Sequence, residues 1–193
     1  MSEPEHQEFR DGVPFLGGSL WIDLLNTTPL LAGEVQDLLA GPAGLRHWAG
    51  LARIALPEAA EGEASVVALR EVLRLGFDAM AQGLPVPEDV ATAVNRLLAQ
   101  VRVSLRLEAS VDGLALVQSE VAIEAPVATA VALDFARFVT GYEAARLRHC
   151  ANPACNMVFH DQGKNNRRRW CSMEICGNRD KVARYRARQR GEG

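Results

Sequence analysis

Cys150-Ala151-Asn152-Pro153-Ala154-Cys155 and Cys171-Ser172-Met173-Glu174-Ile175-Cys176 decide how this chain is read. They hold all four cysteines of the 193 residues, in the pattern C-x4-C-x15-C-x4-C. Two short-spaced pairs joined by a loop are what a tetrahedral metal site needs. Each pair chelates from one tight turn, and the loop lets the two turns face each other. Thiolates of this kind select Zn²⁺, and four of them close its shell, which makes the site structural rather than catalytic. Two disulfides are the competing reading. The start of the chain, Met1 to Gly12, is acidic and polar, with no basic stretch leading into an apolar run. A cytoplasmic chain with reduced thiols is therefore expected. The x4 spacing is looser than the common x2 and leaves an iron–sulfur site as an alternative. His149 and His160 flank the first pair as substitute ligands, although four thiolates already fill the shell.

Outward from the cysteines, Asn152-Pro153 favours the turn of a metal knuckle. Met157 to His160 reads as a strand, Gly163 to Asn166 as a hairpin tip, and Arg167 to Trp170 as the return strand. Asn178 to Arg190 contains no Pro or Gly and reads as a helix with Cys176 at its start. Knuckle, hairpin and a helix carrying the last ligand make a treble-clef arrangement. Val182 and Tyr185, one turn apart, are expected to pack on Trp170 and Phe159.

Charge is divided unevenly. The net charge is −3, yet residues 146–193 carry twelve Lys+Arg against four Asp+Glu, or +8. The other 145 residues carry nine against twenty, or −11. An acidic body with a basic tail points to a polyanion as the tail's partner. The candidate nucleic-acid contacts are Arg167, Arg168, Arg169, Lys181, Arg184, Arg186, Arg188 and Arg190. Only Asp180 offers an acidic i,i+4 partner, to Arg184, so an ion-paired solvated face explains the run poorly. Arginine outnumbers lysine, which suits bidentate contact with phosphate or guanine. Double-stranded DNA is the expected partner. RNA, or an acidic protein met by a zinc-stabilised interaction module, is the alternative.

The acidic body reads as mixed helix and strand. Leu20 to Thr27 is a dense, largely apolar run after two glycines and is expected to be a buried strand running into a turn or a helix start at Asn26-Thr27. Pro42–Arg53 is a short helix. Ser65 caps a longer one whose stripe is Val66, Leu69, Leu73, Phe77 and Met80, ended by Gly83 and Pro85. Pro87 opens the next, with Val90, Val94, Leu97 and Val101 as its stripe. Arg102–Glu108 alternates, Asp112-Gly113 turns, and Leu114–Val117 returns, which is a β-hairpin. Pro126 to about Arg148 reads as one helix delivering the chain to Cys150. The fold class is thus α+β: a mixed helical domain with a β-hairpin over residues 13–145, then a small treble-clef-like finger over 146–193. Residues 1–12 are expected to be disordered. No apolar run reaches the roughly 18 residues of a membrane span. Asp23, Asn26, Arg70 and Asn95 are polar residues within apolar stretches. They are read either as buried structural hydrogen bonds, with Arg70 pairing Asp23, or as the polar floor of a ligand pocket.

The finger resembles the CGNR zinc finger family, named for the tetrapeptide found here as Cys176-Gly177-Asn178-Arg179. Arg168-Arg169-Trp170-Cys171-Ser172-Met173, Lys181 and Asp161 fit the same pattern. The upstream residues resemble the ABATE domain that precedes this finger in the family: Trp21-Ile22-Asp23-Leu24-Leu25-Asn26-Thr27, Leu45 with Trp48, Ala68-Leu69-Arg70, and Asn95. The stretch Gln162 to Asn166 departs from the family pattern, in which an Arg or Ser comes earlier. The resemblance implies a bacterial-type transcription regulator of the stress response, with a mixed α/β N-terminal domain. Sensing of a small-molecule effector and homodimerisation are the two roles open to that domain. No nucleophile elbow, phosphate loop or paired His/Glu metal motif is present to suggest catalysis.

Overall fold

The computed structural model describes residues 8–56, 62–111, 113–122 and 125–191. Pro57, Asp112 and most of the expected N-terminal tail lie outside them. Among the described residues there are six α-helices and eight strands, and the strands pair in sequence order as four separate antiparallel two-stranded sheets.

The run after Gly18 is a helix, α1 (Leu20–Leu25), not the expected strand. Trp21 to Leu25 are all buried, Asp23 among them, so α1 is buried on nearly every side. A short run buried all round carries no period that separates strand from helix. The backbone settles it: Gly17 comes so close that a Cβ there would lie 2.6 Å from Ile22 Cγ2, and its N–H donates to the Asp23 carboxylate at 2.7 Å. α1 is the hub of the body. The Trp21 ring meets Phe135 edge-on at 5.1 Å and also touches Phe77 and Phe138.

On it pack α3 (Glu63–Ala81) and α5 (Pro126–Val139), while α2 (Gly41–Leu51) packs on α3, and α4 (Glu88–Leu98) on α3 and α5. The stripe of α3 is buried as its spacing predicts. Its first turn starts earlier than expected: Gly62 is the cap, and the Ser65 hydroxyl donates to the Gly62 carbonyl at 2.9 Å. α4 carries Val90 and Val94 inward, but Val101 already belongs to β5 (Val101–Ser110). β5 and β6 (Gly113–Ala122) form the predicted hairpin, with ten residue pairs in register.

The helix from Pro126 does not run to Arg148. α5 stops at Val139, and the chain passes a single tight turn, Ala144–Arg146, into β7 (Leu147–His149). Thr140-Gly141 ends the helix because glycine gains little from staying in it. The following residues gain more as a strand, since β7 pairs with β8 (Val158–His160). The finger's sheet is therefore β7/β8 around the first knuckle, not β8 with Arg167–Trp170. That segment touches the knuckle through a single backbone bond, Ala151 N–H to the Arg169 carbonyl. The shorter hairpins β1/β2 (Phe9–Arg10, Val13–Pro14) and β3/β4 (Leu30–Leu31, Glu34–Val35) flank α1 in sequence. The first of them places ordered structure within residues 8–12, where disorder was expected.

Finger and body interlock through two apolar clusters, each with residues from both. Leu147 and Val158 belong to the body's apolar core, while Leu16 and Phe9 pack with the four cysteines, Met157 and Phe159. Polar side chains close the seam. Asn26 donates to the Val158 carbonyl and accepts from the Val158 N–H, both at 2.9 Å. Asn156 donates to the Thr28 carbonyl at 2.7 Å and accepts from the Leu30 N–H at 2.9 Å. The His160 N–H donates to the Gly17 carbonyl at 2.8 Å.

Candidate metal centre and nucleic-acid interface

The four cysteines converge. Their sulfurs all lie within 4.8 Å of one another, and Cys155–Cys171 and Cys171–Cys176 are both 3.7 Å apart. A tetrahedron with Zn–S bonds of about 2.3 Å has edges of about 3.8 Å. The set fits one zinc ion, and Cys150, Cys171 and Cys176 are buried with Cys155 half-buried. Bound there, zinc would supply cross-linking of two turns and no open coordination position.

Each pair of ligands sits on a turn that its own sequence builds. Across Cys150–Cys155, Asn152 accepts from the Ala154 N–H at 3.0 Å and its carbonyl receives the Cys155 N–H at 3.0 Å. Across Cys171–Cys176, Ser172 leads a wide helical turn, Met173–Gly177, and its carbonyl accepts from the N–H groups of Cys176 and Gly177. Without a cation the thiols cannot all ionise. S–H donation from Cys155 and Cys171 pulls the Cys150 thiol down, and the same bonds to Cys150 push Cys155 and Cys171 up. A divalent ion removes that competition. Neither flanking histidine joins the cluster: His149 faces Asp78 at 3.3 Å, and His160 lies edge-on to Phe138.

The tetrapeptide Cys176-Gly177-Asn178-Arg179 has a physical reading. Cys176 is the ligand. A Cβ on Gly177 would lie 2.5 Å from Met173 Sδ and 3.2 Å from Trp170 Cδ1, so any other residue forces those side chains apart. Asn178 Nδ2 donates to the Glu174 carbonyl at 2.8 Å and ties the wide turn to α6 (Asn178–Gln189). Arg179 is exposed.

The basic residues divide into two groups. Arg168 is half-buried; its guanidinium donates to the carbonyls of Trp170 and Cys171 and stacks 4.4 Å from the Phe159 ring centroid. Arg146 likewise donates to the carbonyls of Asp161 and Gly163, and Arg148 to the Asn166 carbonyl and side chain. These arginines hold the loop in place of the return strand. Asp161 anchors the same loop through the N–H groups of Gly163 and Arg168. Burial works against its charge, but those donors and the nearby Arg148 and Arg146 hold its carboxyl below the usual range. Arg167, Arg169, Lys181, Arg184, Arg186, Arg188 and Arg190 are exposed. Arg184 pairs with Asp180 at 2.7 Å, as the spacing predicts.

No residue of α6 is buried. Val182 and Tyr185 do not pack on Trp170 and Phe159: they are 48% and 64% exposed. Phe159 is instead covered by Arg168 and Leu16. The guanidinium competes for the ring face that the helix was expected to take.

The polar residues of the body do not converge. Asn26 is spent on Val158, and Arg70 pairs with Asp37 through two bonds of 2.7 and 2.8 Å rather than with Asp23. Asn95 is exposed on α4. Asp23 alone borders a cleft, with Arg10, Phe15 and Ser19. Sequence reasoning missed Asn156 and Asp37, single polar residues with no spacing signal of their own.

These features define the class: a zinc-finger protein whose finger is built into a helical body. Residues 18–142 match the model of the ABATE family, described as "Putative stress-induced transcription regulator", and residues 146–189 match the CGNR zinc finger. The chain belongs to the ABATE family and carries a CGNR zinc finger at its C-terminal end. A search of curated proteins finds no match. Among the described residues, no helix is long and apolar enough to cross a membrane.

Proposed function

We propose that this chain is a cytoplasmic DNA-binding transcription regulator whose α6 lies in the major groove. The observation that carries the reading is the distribution of charge around an exposed helix. At about 100° per residue, Lys181, Arg184 and Arg188 fall within about 60° of one another, and Arg179, Arg186 and Arg190 within about 40°. The two stripes lie on opposite sides of the helix. Val182, Tyr185 and Gln189 fill the face between them. A major groove about 12 Å wide admits one helix and presents a phosphate wall on each side of it. The stripes suit the two walls, and the middle face suits base edges and thymine methyls. Arg184 is exposed, so water screens its pair with half-buried Asp180 and phosphate can replace it. The reading assigns zinc the structural task of presenting α6, and no catalysis.

The test is binding to random-sequence duplex over a range of salt. Affinity should fall steeply, with about 0.9 counterion equivalents released per phosphate neutralised. Arg186→Ala with Arg188→Ala, one from each stripe, should flatten that slope and weaken every sequence alike. Gln189→Ala should change sequence preference and leave the slope unchanged. Salt-independent binding, or none, sinks the reading and favours an acidic protein as the partner of the basic helix. Preference for single-stranded or A-form RNA favours the RNA alternative.

A further inference from the structure

The β5–β6 hairpin carries an apolar face that its own chain leaves uncovered. Cross-strand partners share a face, and the register pairs Leu107 with Leu116, Ala109 with Leu114, and Leu105 with Gln118. Val103, Leu105, Leu107, Leu114 and Leu116 therefore stand together on one side. They are between 57% and 74% exposed. Ser104, Arg106, Glu108 and Ser119 alternate onto the other side, where Arg106 and Glu108 form an ion pair. The hairpin is thus amphipathic, yet both of its faces meet solvent.

Two strands with a free apolar face are marginal by themselves and need a third strand or a covering layer. Among the described residues, β5 and β6 pair only with each other. The five side chains offer roughly 500 Å² of apolar surface, at the top of what a monomer usually leaves in one patch and approaching the ~800 Å² per partner of a standard interface. By register the one acid of that face, Glu120, stands opposite Val103 toward its open end, away from the leucine centre formed by Leu107, Leu114 and Leu116. A second hairpin of the same kind complements it, because a two-fold contact needs only one self-complementary patch.

We propose that this face is the chain's dimerisation surface: two copies pack their β5–β6 hairpins face to face, leucine against leucine, about a two-fold axis. The paired sheets then form a four-stranded sandwich about 10 Å thick, with Arg106 and Glu108 outside. The arrangement is independent of DNA and would present two fingers to a two-fold site.

Sedimentation velocity of the intact, zinc-loaded chain across a wide concentration series tests this without DNA. The wild type should sediment as a dimer with a monomer boundary growing on dilution. Leu107→Glu combined with Leu116→Glu puts four like charges at the centre of the interface and should weaken association at least about a hundredfold. Ser104→Lys, on the polar face, should leave it unchanged. If the double variant loses zinc or its helical circular dichroism, the single Leu107→Gln replaces it and should raise the dissociation constant at least about tenfold. A wild type that stays monomeric throughout overturns the proposal. So does a folded Leu107/Leu116 variant that dimerises as tightly as the wild type, since the contact then lies elsewhere.

Discussion

Between Arg146 and Trp170 the finger turns several of its polar groups inward, whereas from Arg179 onward it turns them out. In the first region Arg146, Arg148 and Arg168 spend their donors on backbone carbonyls, and Asn156 and Asp161 accept backbone N–H groups. In the second, α6 exposes five basic residues, Arg179, Lys181, Arg184, Arg186 and Arg188, with Asp180 paired to Arg184. The same residue type thus has two employments. An arginine that meets carbonyls fixes a loop that has too few backbone bonds of its own, and an arginine left in water is available to a polyanion. Arg168 and Arg169 are neighbours in sequence and fall on opposite sides of this division. The difference is testable, because the inward group should move stability and the outward group should move binding.

The largest effect is expected at the metal. Zinc binding in such sites is folding energy, of order 10 kcal/mol in isolated fingers. Here Leu16 and Phe9 of the body pack against the ligands, so the loss should not stay within the finger. Chelation, or Cys171→Ser, should unfold residues from about Leu147 onward and also lower the melting temperature of the body. Calorimetry with and without chelator checks this. A body that melts unchanged would mean that the seam is a passive contact, and protein purified under reducing conditions without zinc would remove the site.

Next comes the ion pair of the body that joins a buried arginine to an exposed aspartate. Arg70 is 3% exposed, and its guanidinium holds the Asp37 carboxyl below its usual range. Asp37→Ala leaves that cation with the Thr27 hydroxyl and the more exposed Glu71, and should cost about 2 to 3 kcal/mol, below a fully buried pair because water screens Asp37. The sign with pH follows from the depressed folded pKa. This pair's stabilisation is present above the ordinary carboxylate range and is lost as pH falls through the folded value. Urea unfolding at neutral and acid pH measures both.

The seam itself ranks third. Asn26→Ala strands a buried N–H and a buried carbonyl of Val158 and should cost roughly 2 kcal/mol. Asn95→Ala, on an exposed helix face, should stay within about 0.5 kcal/mol of wild type. Equal effects would break the distinction between seam and surface. These two asparagines also show how far sequence reaches. The metal ligands, the long hairpin and the α3 stripe carry strong periodic or spacing signals and are where those signals place them. The α1 helix carries no such signal, because burial on all sides removes periodicity. The end of α5 is settled by a competing strand pairing with residues beyond the cysteines, which local propensity does not contain. Asn26 and Asn95 look alike in sequence because what separates them is Val158, 132 residues away from Asn26.

The smallest effect concerns Asp23, which also sits at the seam but keeps its carboxylate beside a cleft. Burial raises its pKa to about 7, against the opposing pull of the Gly17 N–H and the charge of Arg10. The folded value lies above the unfolded one, near 3.9, so folding favours the protonated acid. Stability should therefore be greatest at low pH with respect to this group and decline as pH rises from about 4 to about 7, levelling off beyond. Between about pH 6 and pH 8 the expected loss is on the order of 1 kcal/mol. Asp23→Asn keeps an oxygen for the Gly17 N–H and carries no charge, so it should be more stable than wild type above neutrality and lose this part of the pH slope. Chemical denaturation of both proteins across that range decides it. Parallel curves would mean that Arg10 neutralises the carboxylate in full, and that Asp23 is ionised in the fold like the inward-facing Asp161 rather than held neutral beside its cleft.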